Sequence, residues 1–186
     1  MTLFGIENSL EEVEMKTALL GIVLASGAMA QAPDLKTLAG GATAYQNQVK
    51  GVIQRSAEKM PDLNYAYKPV PEVRSFAQLL GHVADAQYTF CSAALGEKNP
   101  ALGIEKSKST KEELVKAVQE AFAYCDKAYA ALSDANAGEV LKFGNGERTR
   151  LNILAFNTAH DFEHYGNMVT YMRLKGIVPP SSEPRK

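Results

Sequence analysis

The sequence predicts an all-α fold, a four-helix bundle, on three observations. Four segments carry apolar residues at helical spacing, most are bounded by capping or helix-breaking residues, and 46% of the 186 residues are hydrophobic, enough for one sizeable core. Helices with a single apolar stripe bury it best against one another. Lys+Arg 20 against Asp+Glu 21 leaves a formal charge of -1 with no run of like charges, so no nucleic-acid partner is expected. With Gly 14, Pro 8 and Cys 2, the composition excludes collagen-like, disordered and disulfide-scaffold classes.

The first 30 residues read as a segment apart. Met15-Lys16-Thr17, an apolar run from Ala18 to Ala25 and the small residues ending Ala28-Met29-Ala30 follow the order of a secretory signal peptide. Translation is expected to start at Met15, with cleavage after Ala30. Met1 to Glu14 carries Glu7, Glu11, Glu12 and Glu14 and no base, the wrong charge for an n-region; an amphipathic first helix packed on the fold is the alternative. The apolar run is far shorter than the ~20 residues a spanning helix needs and no Cys follows it, so no stable membrane anchor is expected. The expected organisation is an N-terminal extension and signal peptide over 1–30 and the bundle over 31–186, exported to the periplasm or the exterior. Without Lys16 and the four Glu the formal charge becomes about +2.

In the mature part, Leu35, Leu38, Ala42, Tyr45, Val49, Val52, Ile53 and Met60 predict a first helix, with Asp34 as N-cap and Pro61 as its stop. Pro61 to Arg74 reads as extended chain, because Pro disfavours helix at the residue before it. Ser75 and Gln78 form a capping-box pattern, opening a second helix whose stripe is Phe76, Leu79, Leu80, Val83, Phe90 and Ala94 and which ends near Gly96. After a linker to Ser109, the Ser109/Glu112 pair repeats the capping pattern before a third stripe, Leu114, Val115, Val118, Phe122, Cys125, Tyr129 and Leu132. Val140, Leu141 and Phe143 before Asn145-Gly146 suggest a small hairpin. The last helix runs from about Arg148 to Lys175, with Gly176 as its C′ residue. Both interhelix links before the third helix are about a dozen residues, long enough at ~3.3 Å per residue to return along a helix, so patterning alone allows either hairpins throughout or one crossover.

The chain has 3 His, all on two of these helices. His160 and His164 stand one turn apart on one face of the fourth helix, a spacing that lets both bind one ion. They share a ridge with Ile153, Asn157, Met168 and Tyr171, beside a main stripe of Leu151, Leu154, Thr158, Phe162, Tyr165, Val169 and Met172; a bundle helix touches two neighbours, so this ridge can face the second helix. There His82 lies on a polar ridge with Ser75, Gln78, Asp85 and Thr89. Three neutral imidazoles make a common open site for a divalent transition metal (Zn, Ni, Mn or Fe), leaving room for water or a small-molecule substrate. Asp85, Asp161 and Glu163 are near enough in sequence to orient a ligand or to join it, and Asp85 or Tyr171 to relay a proton. Cys91 and Cys125 are expected as small buried hydrophobes, with a disulfide as the less favoured outcome.

"LGHVADAQ" in the second helix, "HDFEH" in the fourth and the ending "YMRLKGIVPPSS" together resemble the DinB-like superfamily of four-helix bundles, over about Leu35 to Ser182. The resemblance implies a metal triad at His82, His160 and His164, an up-down-down-up topology with a crossover, a homodimer, and activity as a metal-dependent thiol S-transferase or a thiol-dependent isomerase. That topology places Cys91 and Cys125 at similar heights along the bundle. The pattern departs from the family in its export segment, since low-molecular-weight thiols such as bacillithiol or mycothiol belong to the cytosol. The reading that follows is a divalent-metal-binding protein, acting as a metal-dependent hydrolase or thiol S-transferase. The alternatives are a non-catalytic metal-binding or interaction protein and a metal-free bundle that binds an apolar ligand.

Overall fold

The computed structural model describes residues 32–184, so the expected export segment lies outside the described residues. Four long helices make the bundle: α1 (Leu38–Lys59), α2 (Phe76–Leu95), α4 (Lys111–Ala131) and α5 (Arg150–Leu174). A single turn, α3 (Ile104–Ser107), interrupts the link between α2 and α4, and a hairpin of β1 (Val140–Phe143) and β2 (Gly146–Thr149) precedes α5. None of the described helices is long and apolar enough to cross a membrane.

Local chemistry sets the boundaries. The Ser75/Gln78 capping box opens α2, and Gly96 ends it at φ 72. At α4 the box is Thr110/Glu113, one residue later than expected, because the Glu113 side chain is the one that reaches back to the cap N–H. α1 starts at Leu38 with Thr37 as its cap; Asp34 caps a turn just before it, accepting from Lys36 N–H. The first turns of α1 correct the expected stripe, since Leu35, Leu38 and Tyr45 are exposed and Gln46 is buried instead. Phe162, expected in the stripe of α5, is likewise exposed. In the hairpin Phe143 pairs with Gly146, so the two-residue turn is Gly144-Asn145 and not Asn145-Gly146; Gly144, at φ 59, occupies the first position as a II′-type turn requires.

The core falls into two clusters that fix the topology. One gathers the C-terminal half of α1, the first halves of α2 and α4, and the last half of α5 (Ile53, Leu80, Leu114, Met168). The other gathers the ends of α2 and α4 with the start of α5 (Cys91, Cys125, Leu154). α2 and α4 therefore run the same way, and α1 and α5 run against them: up-down-down-up. Each long helix packs on two neighbours, in the cyclic order α1, α4, α2, α5. The connection from α2 to α4 is thus the crossover, and it lies close against α2. A Cβ on Gly81 would sit 2.6 Å from the Glu105 Cα, so only glycine admits that approach. The Asp85 carboxylate fastens the crossing, accepting from the Ile104 and Glu105 N–H groups at 2.8 and 3.0 Å.

Cys91 and Cys125 lie at one level, as parallel helices require, and they are joined by a disulfide with Cα atoms 5.2 Å apart. This corrects the expectation of two separate thiols. Both residues lie on the faces that α2 and α4 turn to each other, a condition that helix heights alone do not reveal.

Candidate metal centre

α2 and α5 are neighbours, and the polar ridge of one meets the histidine ridge of the other. His82 Nε2 lies 3.1 Å from His160 Nε2, which lies 3.0 Å from His164 Nε2. The three residues offer ligand atoms that are all within 4.8 Å of one another. His164 is buried, while His82 and His160 are half-buried.

The protonation of the cluster follows from its surroundings. Glu105, on α3, accepts from His82 Nδ1 at 3.2 Å through one oxygen and from Arg74 Nε at 2.8 Å through the other. A carboxylate can only accept, so Nδ1 carries the His82 proton and Nε2 is left with its lone pair turned toward the other two rings. Burial, then the adjacent imidazoles, pushes His160 down to about 4. His164 is likewise pushed down to about 4, by burial first and then by His82. His160 and His164 therefore present neutral nitrogens at neutral pH, the form a metal ion needs.

The fit to a divalent ion rests on two features. Nitrogens sharing one ion at ~2.0–2.1 Å can be no more than ~4.2 Å apart; the two pairs that include His160, at 3.0 and 3.1 Å, satisfy that limit, and all three ligand atoms lie within 4.8 Å of one another. Three converging nitrogens also repel one another when no cation lies between them, because His160 Nε2 can donate to only one of its two neighbours. The Nδ1 atoms of His160 and His164 are buried and meet no partner among the described residues, so Glu105 is the one carboxylate that orients a ring of the cluster.

The other residues singled out in the sequence separate into different places. Asp85 caps α3 and meets no histidine. Asp161 points the opposite way, into the bundle, where it accepts from Gln87 Nε2 at 2.7 Å and Gln46 Nε2 at 3.2 Å, and burial pushes its carboxyl up to about 7. Tyr171 donates to the Arg74 carbonyl at 2.8 Å, so its proton is committed to the loop. Glu163 does line the site, across a cleft of about 590 Å³ from Lys68, Glu72 and Arg74, with His164, Asn167 and Tyr171 on its own wall. Sequence reasoning missed Glu105 and Arg74. The available signals were Gly81 and Asp85, one residue before His82 and three after it, which mark where the linker returns to α2.

A family model described as the DinB superfamily matches residues 48–168. Among solved structures the chain is similar to a DinB-like protein from Bacillus cereus, at TM-score 0.65 and 14% identity, covering 79% of this chain and 98% of that one. It is similar also to a DinB-like protein from Bacillus subtilis, at TM-score 0.62 and 18% identity, covering 78% and 99%. A mycothiol-dependent maleylpyruvate isomerase follows at TM-score 0.56 and 13% identity, covering 72% of this chain and 65% of that one. The search of curated proteins finds no significant match.

Proposed function

The chain belongs to the DinB superfamily, and on that premise we propose that it is an exported, divalent-metal-binding protein that works on a small polar substrate at the α2/α5 cleft. The observation that carries this reading is the convergence of the three Nε2 atoms of His82, His160 and His164. These residues would hold the ion, with Glu105 and Arg74 fixing the ring of His82. A divalent ion held by three imidazoles lowers the pKa of a water or thiol that it binds, which suits a metal-dependent hydrolase or a thiol S-transferase. His164 forms part of the cleft wall, and Gln78, Glu163 and Asn167 supply polar groups there for substrate.

Whether the site is open decides between an enzyme and a clamp. In the cobalt-loaded protein, the visible absorption spectrum is expected to change on adding a thiol such as 2-mercaptoethanol. An unchanged spectrum would leave the ion as a non-catalytic link between helices.

Export is supported by the signal-peptide pattern and by the disulfide, which persists in oxidising compartments. N-terminal sequencing of protein from the periplasm of a Gram-negative host should begin at Gln31; a retained Met15 would contradict it. A homodimer is proposed through the apolar groove between α1 and α5, where Tyr45 and Phe162 are exposed beside Ala42, Ala155 and Ala159. Light scattering should then give twice the chain mass, and Tyr45→Glu should halve it.

A further inference from the structure

On the hairpin side of the histidines, away from the polar cleft, the side chains change character. Phe90 lies 5.6 Å from the ring of His160 between centroids, and Phe156 and Phe143 each lie 5.4 Å from Phe90. Over Phe143 and Phe156 stands the guanidinium of Arg148, its Cζ 5.2 and 5.1 Å from the two ring centres. An exposed cation thus stands over an apolar face: in the hairpin register Arg148 is opposite Leu141, whose side chain packs on the core.

The acids nearby are already engaged. Glu139 pairs with Arg150 at 2.6 Å, and Glu147 stands opposite Lys142 on the outer face of the hairpin. Among the described residues Arg148 forms no ion pair. A guanidinium carries five N–H donors in a planar fork matched to a carboxylate, and ring contacts leave that demand for an anion unmet. Phe156 is 46% exposed, an apolar surface between that fork and the histidines. Phe156 and His160 are one turn apart on α5, a rise of ~6 Å, about the length of one substituted aromatic ring.

We propose that Arg148, Phe156 and Phe143 form an anion subsite for a small molecule with a flat apolar body, binding its carboxylate at Arg148 and presenting its other end to the histidine cluster. This rests on the functional reading above for the second half only, since the fork and its ring platform need no ion. Without such a ligand, Arg148 would only staple the hairpin to α5.

The test uses the purified protein, with and without zinc, and fluorine NMR of 4-fluorobenzoate and its neutral analogue 4-fluorobenzamide. In chelator-treated protein, Arg148→Gln should weaken 4-fluorobenzoate binding at least fivefold and leave 4-fluorobenzamide unchanged, with Arg148→Lys in between. Phe156→Ala should weaken both probes, because it removes the platform; this covers the case in which Arg148→Gln does not fold. Equal binding of 4-fluorobenzoate by the wild type and folded Arg148→Gln would overturn the subsite. Zinc should then tighten terephthalate, a carboxylate at each end, at least tenfold. If zinc binds yet terephthalate gains nothing, the link to the histidines fails; if no zinc binds, the metal reading fails while the Arg148 result stands.

Discussion

His160 and Asp161 are adjacent in sequence, yet they belong to two polar clusters of opposite character. Asp161 joins Gln46, Gln87, Tyr129, Asn157 and Thr158 inside the bundle, where Tyr129 donates to the Leu154 carbonyl at 2.7 Å and Gln46 and Gln87 both donate to the Asp161 carboxylate. Only the Asn157 Oδ1 lacks a partner in that network. The histidine cluster is the reverse: three ring nitrogens converge without a full set of hydrogen bonds, and two Nδ1 atoms are buried without a partner among the described residues. Buried polar groups that satisfy one another specify a unique packing. Groups that converge without satisfying one another mark a place for a ligand. The core network ties α1, α2, α4 and α5 together, and the histidine cluster needs something from outside.

The largest effect separating the two clusters should come from the disulfide, which belongs to the core side: Cys125 Sγ lies 3.6 Å from Asn157 Nδ2. Opening a link between residues 34 apart is expected to cost about 4 kcal/mol on the loop-entropy estimate. Urea unfolding of the Cys91→Ala/Cys125→Ala variant should show that loss while zinc affinity changes little. An equal collapse of zinc affinity would mean that the clusters are not separable.

The pH dependence of the metal-free protein is next in size. His160 and His164 move from 6.5 unfolded to about 4 folded, so between those values the unfolded chain holds more protons and stability falls as pH drops from about 6.5 to 4. The contribution is on the order of 1–2 kcal/mol per histidine after discounting for partial exposure. Asp161 runs the other way: raised from 3.8 to about 7, it makes stability fall as pH rises through that window. The His160→Gln/His164→Gln variant should lose the decline toward acid pH and keep the decline with rising pH that Asp161 imposes. Unfolding midpoints from pH 4 to 8 check this, and an unaltered profile would refute the protonation assignment.

The smallest effect sharpens the role of the crossover. Glu105→Gln keeps an acceptor beside His82 Nδ1 but removes the charge and the Arg74 pair. Zinc affinity, measured by chelator competition, should fall by roughly 10–100-fold, as for other residues that orient a ligand. An unchanged affinity would reduce Glu105 to a loop contact.

Much of this arrangement was legible in sequence because it is written in local periodicity. The stripes of α2 and α4, the cap at Ser75, the C′ glycine at Gly176 and the histidines at helical spacing are short-range patterns, and each has its own physical cause. The parallel pairing of α2 and α4 came only from the family resemblance, since both links were long enough for either route. What periodicity does not carry is the contribution of the crossover. Glu105 sits in a four-residue turn whose sequence reads as linker, and its place depends on Gly81 and Asp85, some twenty residues earlier. The core network was equally hidden. Gln46 and Gln87 lie outside the predicted apolar stripes and Asp161 reads as a neighbour of the metal ligands, whereas their mutual hydrogen bonds are what make burial inside the bundle affordable.

The central claim is that the histidine cluster is built to hold an ion, and elemental analysis of untagged protein tests it most directly. The protein should carry about one divalent transition metal ion per chain. His82→Ala, His160→Ala and His164→Ala should each lose it after dialysis against a weak chelator, while Asp161→Asn retains it. Metal content that is the same in the wild type and all three histidine variants, or absent from every one after exposure to zinc, would contradict the account.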